Sequence, residues 1–211
     1  MKNTNHSLFD KYEMIKDLGT GSSGSVTLVR HISMDQERAL KKVPKASAFA
    51  ESALSEARLL KSLEHPSIPR RFDYEEDDAF YYIVEEYIDG ETLDSFLLHQ
   101  QLISPGLFFN ICEQLCNVFI YLHTQISTPI IYRDLKPEHI IVCHNKLKLI
   151  DFGVSAYVIQ DGNNFNHYGN IEFSAPECFT EDTITPAADI YSLGQLLQYI
   201  LTMITDRKSV V

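Results

Sequence analysis

Between Ile131 and Asp151, two short apolar runs, Ile140-Ile141-Val142 and Leu147-Lys148-Leu149-Ile150, flank the polar tetrapeptide Cys143 to Lys146. Runs of this length on either side of a polar break read as paired strands. Their outer ends carry the chemistry. Ile131-Tyr132-Arg133-Asp134-Leu135-Lys136-Pro137-Glu138-His139 leads into the hairpin, and Asp151-Phe152-Gly153 leaves it. A hairpin so framed brings Asp134, Lys136 and Asp151 into one crevice. A carboxylate beside a lysine accepts a hydroxyl proton while the ammonium screens a phosphate, and an acid at the end of an apolar strand is a natural divalent-cation ligand. The stretch therefore points to phosphoryl transfer.

Upstream, an alternating strand over Tyr12 to Leu18 runs into Gly19-Thr20-Gly21-Ser22-Ser23-Gly24-Ser25-Val26. Glycines let a backbone approach a polyphosphate and turn its N–H groups toward anionic oxygens. A strand with Leu28 and Val29 follows rather than a helix, which argues against the dinucleotide-binding strand-loop-helix unit. In the next strand, Arg38 to Val43, Ala39 and Lys41 share a face by the period of two, while Lys42 points the other way and reads as solvated. Ala53, Ala57, Leu60 and Leu63 recur at helical spacing over Glu51 to Leu63, and His65-Pro66 ends that helix. Phe80 to Ile88 is a further strand, running into the connector Asp89-Gly90-Glu91. Ser104-Pro105 starts a helix with a buried stripe of Phe108, Ile111, Leu115, Val118 and Leu122. A last helix near Asp189 carries Ile190, Leu193, Leu197, Ile200 and Ile204 on one side.

Composition narrows the partners. A formal charge of −11 and a pI near 5.1 argue against nucleic acid or an anionic membrane surface, both of which demand a basic face. No apolar run reaches membrane-spanning length and the first ten residues are polar, so the expectation is a cytoplasmic protein without a membrane span. Cys112, Cys116, Cys143 and Cys178 form no Cys-x-x-Cys pair and read as reduced core thiols, with no zinc assigned.

Tyr-Arg-Asp-Leu-Lys-Pro-Glu followed by Asp-Phe-Gly, the glycine run, the Ala39-Leu40-Lys41 strand, Ala175-Pro176-Glu177 and Asp189-Ile190-Tyr191-Ser192-Leu193-Gly194 stand in one order along nearly the whole chain. In that order they resemble the eukaryotic-type (Hanks-type) serine/threonine protein kinase catalytic domain. The resemblance implies an α+β, two-lobed fold: a mostly antiparallel small lobe over residues 1–88 and a mostly helical large lobe over 89–211 that stops short of the family's later helices. It implies ATP and Mg2+ as cofactors and a protein serine or threonine as substrate. By the same resemblance Asp134 accepts the hydroxyl proton, Lys136 stabilises the transferring phosphoryl, and Asp151 holds magnesium. Gly19, Gly21, Gly24 and Val26 cover the nucleotide, Ala39 and Ile141 line the adenine, and backbone groups of Glu86 and Ile88 bond it. Lys41 holds the α and β phosphates and is oriented by Glu56, and Asp189 ties its helix to the catalytic loop.

The chain also departs from the family pattern. His139 stands five residues after Asp134, where the family has an asparagine that ligates a second magnesium and braces the loop. Magnesium prefers hard oxygen ligands and imidazole offers nitrogen, so His139 is expected to be a poor second ligand, with Mn2+ partly compensating. Glu85 occupies the position behind the adenine pocket, where an apolar side chain or threonine is usual, with Lys41 as its expected counter-ion. Arg71 falls where the family places an apolar residue. Between Gly153 and Ala175 the hydroxyl acceptors other than tyrosine are Ser155 and Ser174, and Asn170 replaces the usual threonine. Two expectations follow: regulation does not run through phosphorylation of the loop at Tyr157 to Tyr168, and an uncovered large-lobe face, with Glu177 lacking its usual arginine, favours self-association. The rival readings are a pseudokinase that binds nucleotide without transfer and a kinase acting on a small molecule.

Overall fold

The computed structural model describes residues 8–21, 24–100, 103–157, 170–180 and 184–208. They form two compact units. The first holds the described residues up to Glu64 together with Pro69–Ile88, and the second holds His65–Ile68 and the described residues from Asp89 onward. The tetrapeptide His65–Ile68 belongs with the second unit because the Leu149 N–H donates to the Ser67 carbonyl at 2.7 Å.

In the first unit a short helix α1 (Leu8–Lys11) leads into β1 (Tyr12–Gly21), β2 (Gly24–His31), β3 (Gln36–Pro44), α2 (Ala50–Leu60), β4 (Arg71–Glu76) and β5 (Phe80–Glu86). The strands form one antiparallel sheet in the order β1-β2-β3-β5-β4. The sheet curls until its edges meet: the Tyr12 hydroxyl on β1 donates to Asp73 on β4 at 2.8 Å, and Lys11 pairs with the same carboxylate. Strand alternation divides the apolar residues between the faces. Leu8, Tyr12, Val29, Leu40, Tyr82 and Val84 pack on one, and Val43 and Ile83 pack with Ala53 and Ala57 of α2 on the other.

Three sequence expectations are adjusted here. Helix α2 ends at Leu60 rather than Leu63, because Ser62 and Leu63 donate to Leu59 and Leu60 and tighten the last turn. Strand β5 ends at Glu86 rather than Ile88, its N–H donating to the Arg70 carbonyl at 2.8 Å just ahead of β4. Lys42 is not simply solvated, for its ammonium lies 4.0 Å from the centre of the Phe80 ring.

The second unit contains β6 (Glu91–Thr92), α3 (Leu93–His99), α4 (Pro105–Ile120), β7 (Ile130–Ile131), β8 (Ile140–Cys143), β9 (Lys146–Leu149), β10 (Ala156–Tyr157), α5 (Glu177–Thr180) and α6 (Ala187–Lys208). Helix α4 starts as its sequence dictates, with the Ser104 hydroxyl accepting from Leu107 N–H at 3.1 Å ahead of Pro105. Its buried stripe is Ile111, Leu115, Val118 and Phe119, and the chain continues through one π-helical turn, Tyr121–Gln125, that buries Leu122. Strands β8 and β9 pair as the hairpin read from the sequence, and His144 and Asn145 supply its turn at φ 49° and 61°.

On α6 the buried residues are Ala188, Asp189, Ser192, Leu193, Leu196 and Ile200. At about 100° per residue these make one continuous arc, and Ile190 falls outside it, 53% exposed. The expected stripe was rotated because it counted only apolar residues, whereas Asp189 and Ser192 occupy part of the inward face. The Ile204 side chain lies outside the described set. Of the cysteines, Cys178 is buried but Cys116 is exposed, so core thiols were expected too broadly. Among the described residues no helix is long and apolar enough to cross a membrane.

Candidate active site

In the second unit, the segment between β7 and β8 is built around one buried acid. Asp189, fully buried at the start of α6, accepts from the backbone N–H groups of Tyr132 and Arg133 at 2.8 Å each, and its carboxylate lies 2.8 Å from His123 Nε2. Three contacts on one carboxylate fix the chain just before Asp134. Arg133 itself takes the left-handed φ of 74° that the anchored turn imposes. The Tyr132 ring packs edge-on against Phe152 at 5.0 Å, and its hydroxyl donates to the Ile150 carbonyl. Ser155 donates to the Tyr132 carbonyl at 3.1 Å. The residues on both sides of the β8–β9 hairpin are thereby tied together.

The structure brings Asp134, Lys136, His139 and Asp151 into one cluster. Lys136 Nζ lies 3.1 Å from Asp134 Oδ2. His139 Nδ1 lies 3.0 Å from the Asp134 carbonyl oxygen, and since a carbonyl only accepts, Nδ1 carries the proton and donates. In the neutral ring Nε2 is then an acceptor, and it sits 3.5 Å from Asp151 Oδ2. A ring nitrogen facing a carboxylate in this way accommodates either a proton on Nε2 or a cation between the two. Asp151 is half exposed and holds a φ of 62°, with its Oδ1 accepting from Gly153 N–H at 3.2 Å.

A divalent cation fits this arrangement in part. Asp151 supplies one hard oxygen, and magnesium ordinarily completes its shell with phosphate and water. The other side chain in reach presents nitrogen rather than oxygen.

In the first unit Lys41 Nζ pairs with Glu56 Oε2 at 2.7 Å, with the glutamate side chain 4% exposed. Val26 lies opposite Lys41 across β2 and β3, and Ala39 lies one alternation away on the same face. Gly19 stands opposite Val26 and donates its N–H to Asp17 Oδ1 at 3.0 Å, and Gly21 pairs with Gly24 where the two strands join. Gly24 has a positive φ of 138°, and a Cβ there would sit 2.1 Å from the Lys42 carbonyl oxygen, so the close approach of β2 to β3 admits only glycine. Glu86 has its N–H committed to Arg70, and its carboxylate accepts from Arg70 N–H at 3.1 Å. Ile88 closes the first unit, half-buried. Ile141, also half-buried, lies on β8 opposite Thr92 and Lys148.

One expectation is extended. The charge of Lys41 acts on the Glu85 carboxyl as expected, but the cation hydrogen-bonded to it is Arg71, with Nη2 3.0 Å from Oε1. The two residues stand directly opposite each other on β4 and β5. That cross-strand relation explains both departures from the family pattern at once. Nothing local in the sequence marks the pair, because it depends on the register of β4 against β5. His123 was not singled out at all, since its role depends on a partner 66 residues away.

Ser174 and Asn170 close a tight turn, with Asn170 N–H donating to the Ser174 hydroxyl at 2.8 Å and Ser174 N–H to the Asn170 carbonyl at 2.8 Å. Ala175 is buried with Ile131, Cys178, Ile184 and Ala188, and Glu177 opens α5. Residues 158–169, including Asn163, Asn164, Asn166 and Tyr168, lie outside the described residues.

The protein kinase domain family matches residues 12–206. The chain is 31% identical over 201 residues to the serine/threonine-protein kinase PrkC of Bacillus subtilis, covering 91% of this chain and 30% of that protein. It is 33% identical over 188 residues to the serine/threonine-protein kinase ppk25 of Schizosaccharomyces pombe, with coverage of 86% and 44%. It is 30% identical over 208 residues to the serine/threonine-protein kinase PknB of Mycolicibacterium smegmatis, with coverage of 92% and 33%. The chain thus spans less than half the length of each of these relatives. With a small unit of antiparallel sheet plus α2 and a second, mainly helical unit, it has the two-lobed protein kinase fold and belongs to the Hanks-type protein kinase catalytic-domain family.

Proposed function

We propose that the chain transfers the γ-phosphate of ATP to serine or threonine hydroxyls of a protein substrate. The observation that carries this reading is the Asp134–Lys136 pair at 3.1 Å on a segment anchored by Asp189. An acid held beside an ammonium, on a backbone that cannot drift, is what proton acceptance from a hydroxyl requires.

Asp134 takes the proton as the substrate oxygen forms its bond to the γ-phosphorus, while the bond from that phosphorus to the β–γ bridging oxygen breaks and ADP departs. Lys136, 3.1 Å from Asp134, offers positive charge to the phosphoryl oxygens. Asp151 would hold Mg2+, which when bound neutralises charge on the phosphates. Lys41, kept extended by Glu56, orients the α and β phosphates. Val26 and Ala39, with Ile141, offer apolar surface to the adenine, and the Glu86 carbonyl and Ile88 backbone offer its hydrogen bonds. The glycines at 19, 21 and 24 let the β1–β2 backbone approach the phosphates.

A second reading is favoured by His139: a nucleotide-binding module with little turnover. Its nitrogen replaces an oxygen ligand beside Asp151. Incubation with γ-labelled ATP and a generic basic protein separates the two. Label on protein serine or threonine supports the kinase reading, nucleotide binding without transfer supports the module, and label on small metabolites alone would overturn both.

A further inference from the structure

On the sheet face that packs against α2, four charged side chains gather in two pairs, Lys41 with Glu56 at 2.7 Å and Arg71 with Glu85 at 3.0 Å. Their side chains are 21%, 4%, 7% and 18% exposed, so water screens none of them well. The strand register sets who can reach whom. Glu85 lies opposite both Ala39 on β3 and Arg71 on β4, while Ile83 lies opposite Lys41. Glu85 and Lys41 are therefore diagonal neighbours on one face, roughly 7–8 Å apart at the backbone, a gap that a lysine side chain spans. Lys41 has two carboxylates it can serve.

We infer that Arg71 is a positioning residue for the nucleotide site: by binding Glu85 it keeps that carboxylate off Lys41 and leaves the Lys41 ammonium with Glu56. The inference rests on the reading of Lys41 as the phosphate-binding lysine. Burial and the Glu56 charge push the Glu85 carboxyl upward, and Lys41 and Arg71 pull it down, so the four groups respond to one another. Without Arg71, Lys41 is the remaining cation among the described residues whose charge acts on Glu85. The pair is not explained as a stability device. Arg71 meets Glu85 through Nη2, and its Nε and Nη1 are buried with no hydrogen-bond partner among the described residues. Unspent buried donors cost stability, and apolar replacements of a buried ion pair often restore it.

The test is a double-mutant cycle read by calorimetric titration with ATP in Mg2+, well below the melting temperature of each variant. Arg71→Met should weaken the dissociation constant by about tenfold or more, and Arg71→Met/Glu85→Gln should return it to within about threefold of the unaltered chain. A residue that only holds the fold would lower the binding stoichiometry or the melting temperature and leave the dissociation constant of the folded fraction unchanged. If Arg71→Met does not fold, Arg71→Lys compared with Arg71→Lys/Glu85→Gln carries the same sign test. Lys41→Met is the control. If it binds ATP as tightly as the unaltered chain, or if the unaltered chain does not bind, the nucleotide reading falls and this inference with it. If Lys41→Met loses binding while Arg71→Met keeps it, or if the second substitution worsens the first, the inference alone is overturned.

Discussion

Replacing His139 with asparagine should raise magnesium-supported phosphotransfer. The histidine does two things in the cluster: Nδ1 donates to the Asp134 carbonyl at 3.0 Å, and Nε2 faces Asp151 Oδ2 at 3.5 Å. An asparagine amide has both functions in hard form, an N–H for the carbonyl and an oxygen toward Asp151. Bracing of the loop is then kept, and stability should change by no more than about 1 kcal/mol, the net worth of one hydrogen bond. The ligand is what changes. Loss of groups that merely support metal ligands shifts metal affinity by about 10–100-fold. If Asp151 holds magnesium as proposed, exchanging nitrogen for oxygen beside it should therefore move the apparent magnesium affinity by at least about tenfold, roughly 1.4 kcal/mol. The assay is initial-rate phosphotransfer at saturating ATP across a magnesium titration, repeated with manganese. A larger gain in magnesium than in manganese is expected. Unchanged magnesium kinetics at saturating ATP would show that the position does not limit catalysis.

Asp189→Ala should leave the buried N–H groups of Tyr132 and Arg133 unpaired, at about 1–3 kcal/mol each, and lower the urea midpoint accordingly; an unchanged midpoint would show that the segment is anchored otherwise. Glu85 has a folded-state pKa above the ordinary carboxylate value, so the native state holds its proton more tightly. That contribution is fully present below the ordinary value and is lost as pH rises through the raised one, with Lys41, Glu56 and Arg71 as the facing charges. Urea midpoints of Glu85→Gln should therefore gain on those of the unaltered chain as pH rises from roughly 4.5, and parallel profiles would contradict the shift. Activity should not depend on a phosphate in the loop before Ala175, since Ser155 bonds the Tyr132 carbonyl and Ser174 is tied to Asn170. Mass spectrometry finding an activating phosphate between Asn163 and Tyr168 would show otherwise.

What could be read from the sequence was whatever depends on neighbours along the chain. The β8–β9 hairpin follows from two apolar runs around His144-Asn145, and the start of α4 follows from Ser104-Pro105. The Lys41–Glu56 pair was reached through motif order, since nothing local links a strand residue to a helix residue fifteen positions on. Pairings set by strand register stayed hidden. Arg71 and Glu85 each looked anomalous alone, and only their alignment on β4 and β5 makes them a pair. Ile190 was misplaced for a related reason: the buried face of α6 is partly polar, because Asp189 turns inward to serve two backbone N–H groups. An apolar count cannot see a carboxylate that is buried because it is fully bonded.

In the proposed reaction Asp134 accepts a proton from a protein hydroxyl during transfer from ATP. The most direct measurement compares the unaltered chain with Asp134→Asn for transfer of γ-label to a basic protein, with calorimetric ATP binding measured on both. The account predicts label on serine or threonine with the unaltered chain, loss of transfer by about 100-fold or more in the variant, and ATP affinity preserved. Equal transfer by the two proteins, or ATP binding by the unaltered chain with no transfer in either magnesium or manganese, would contradict it.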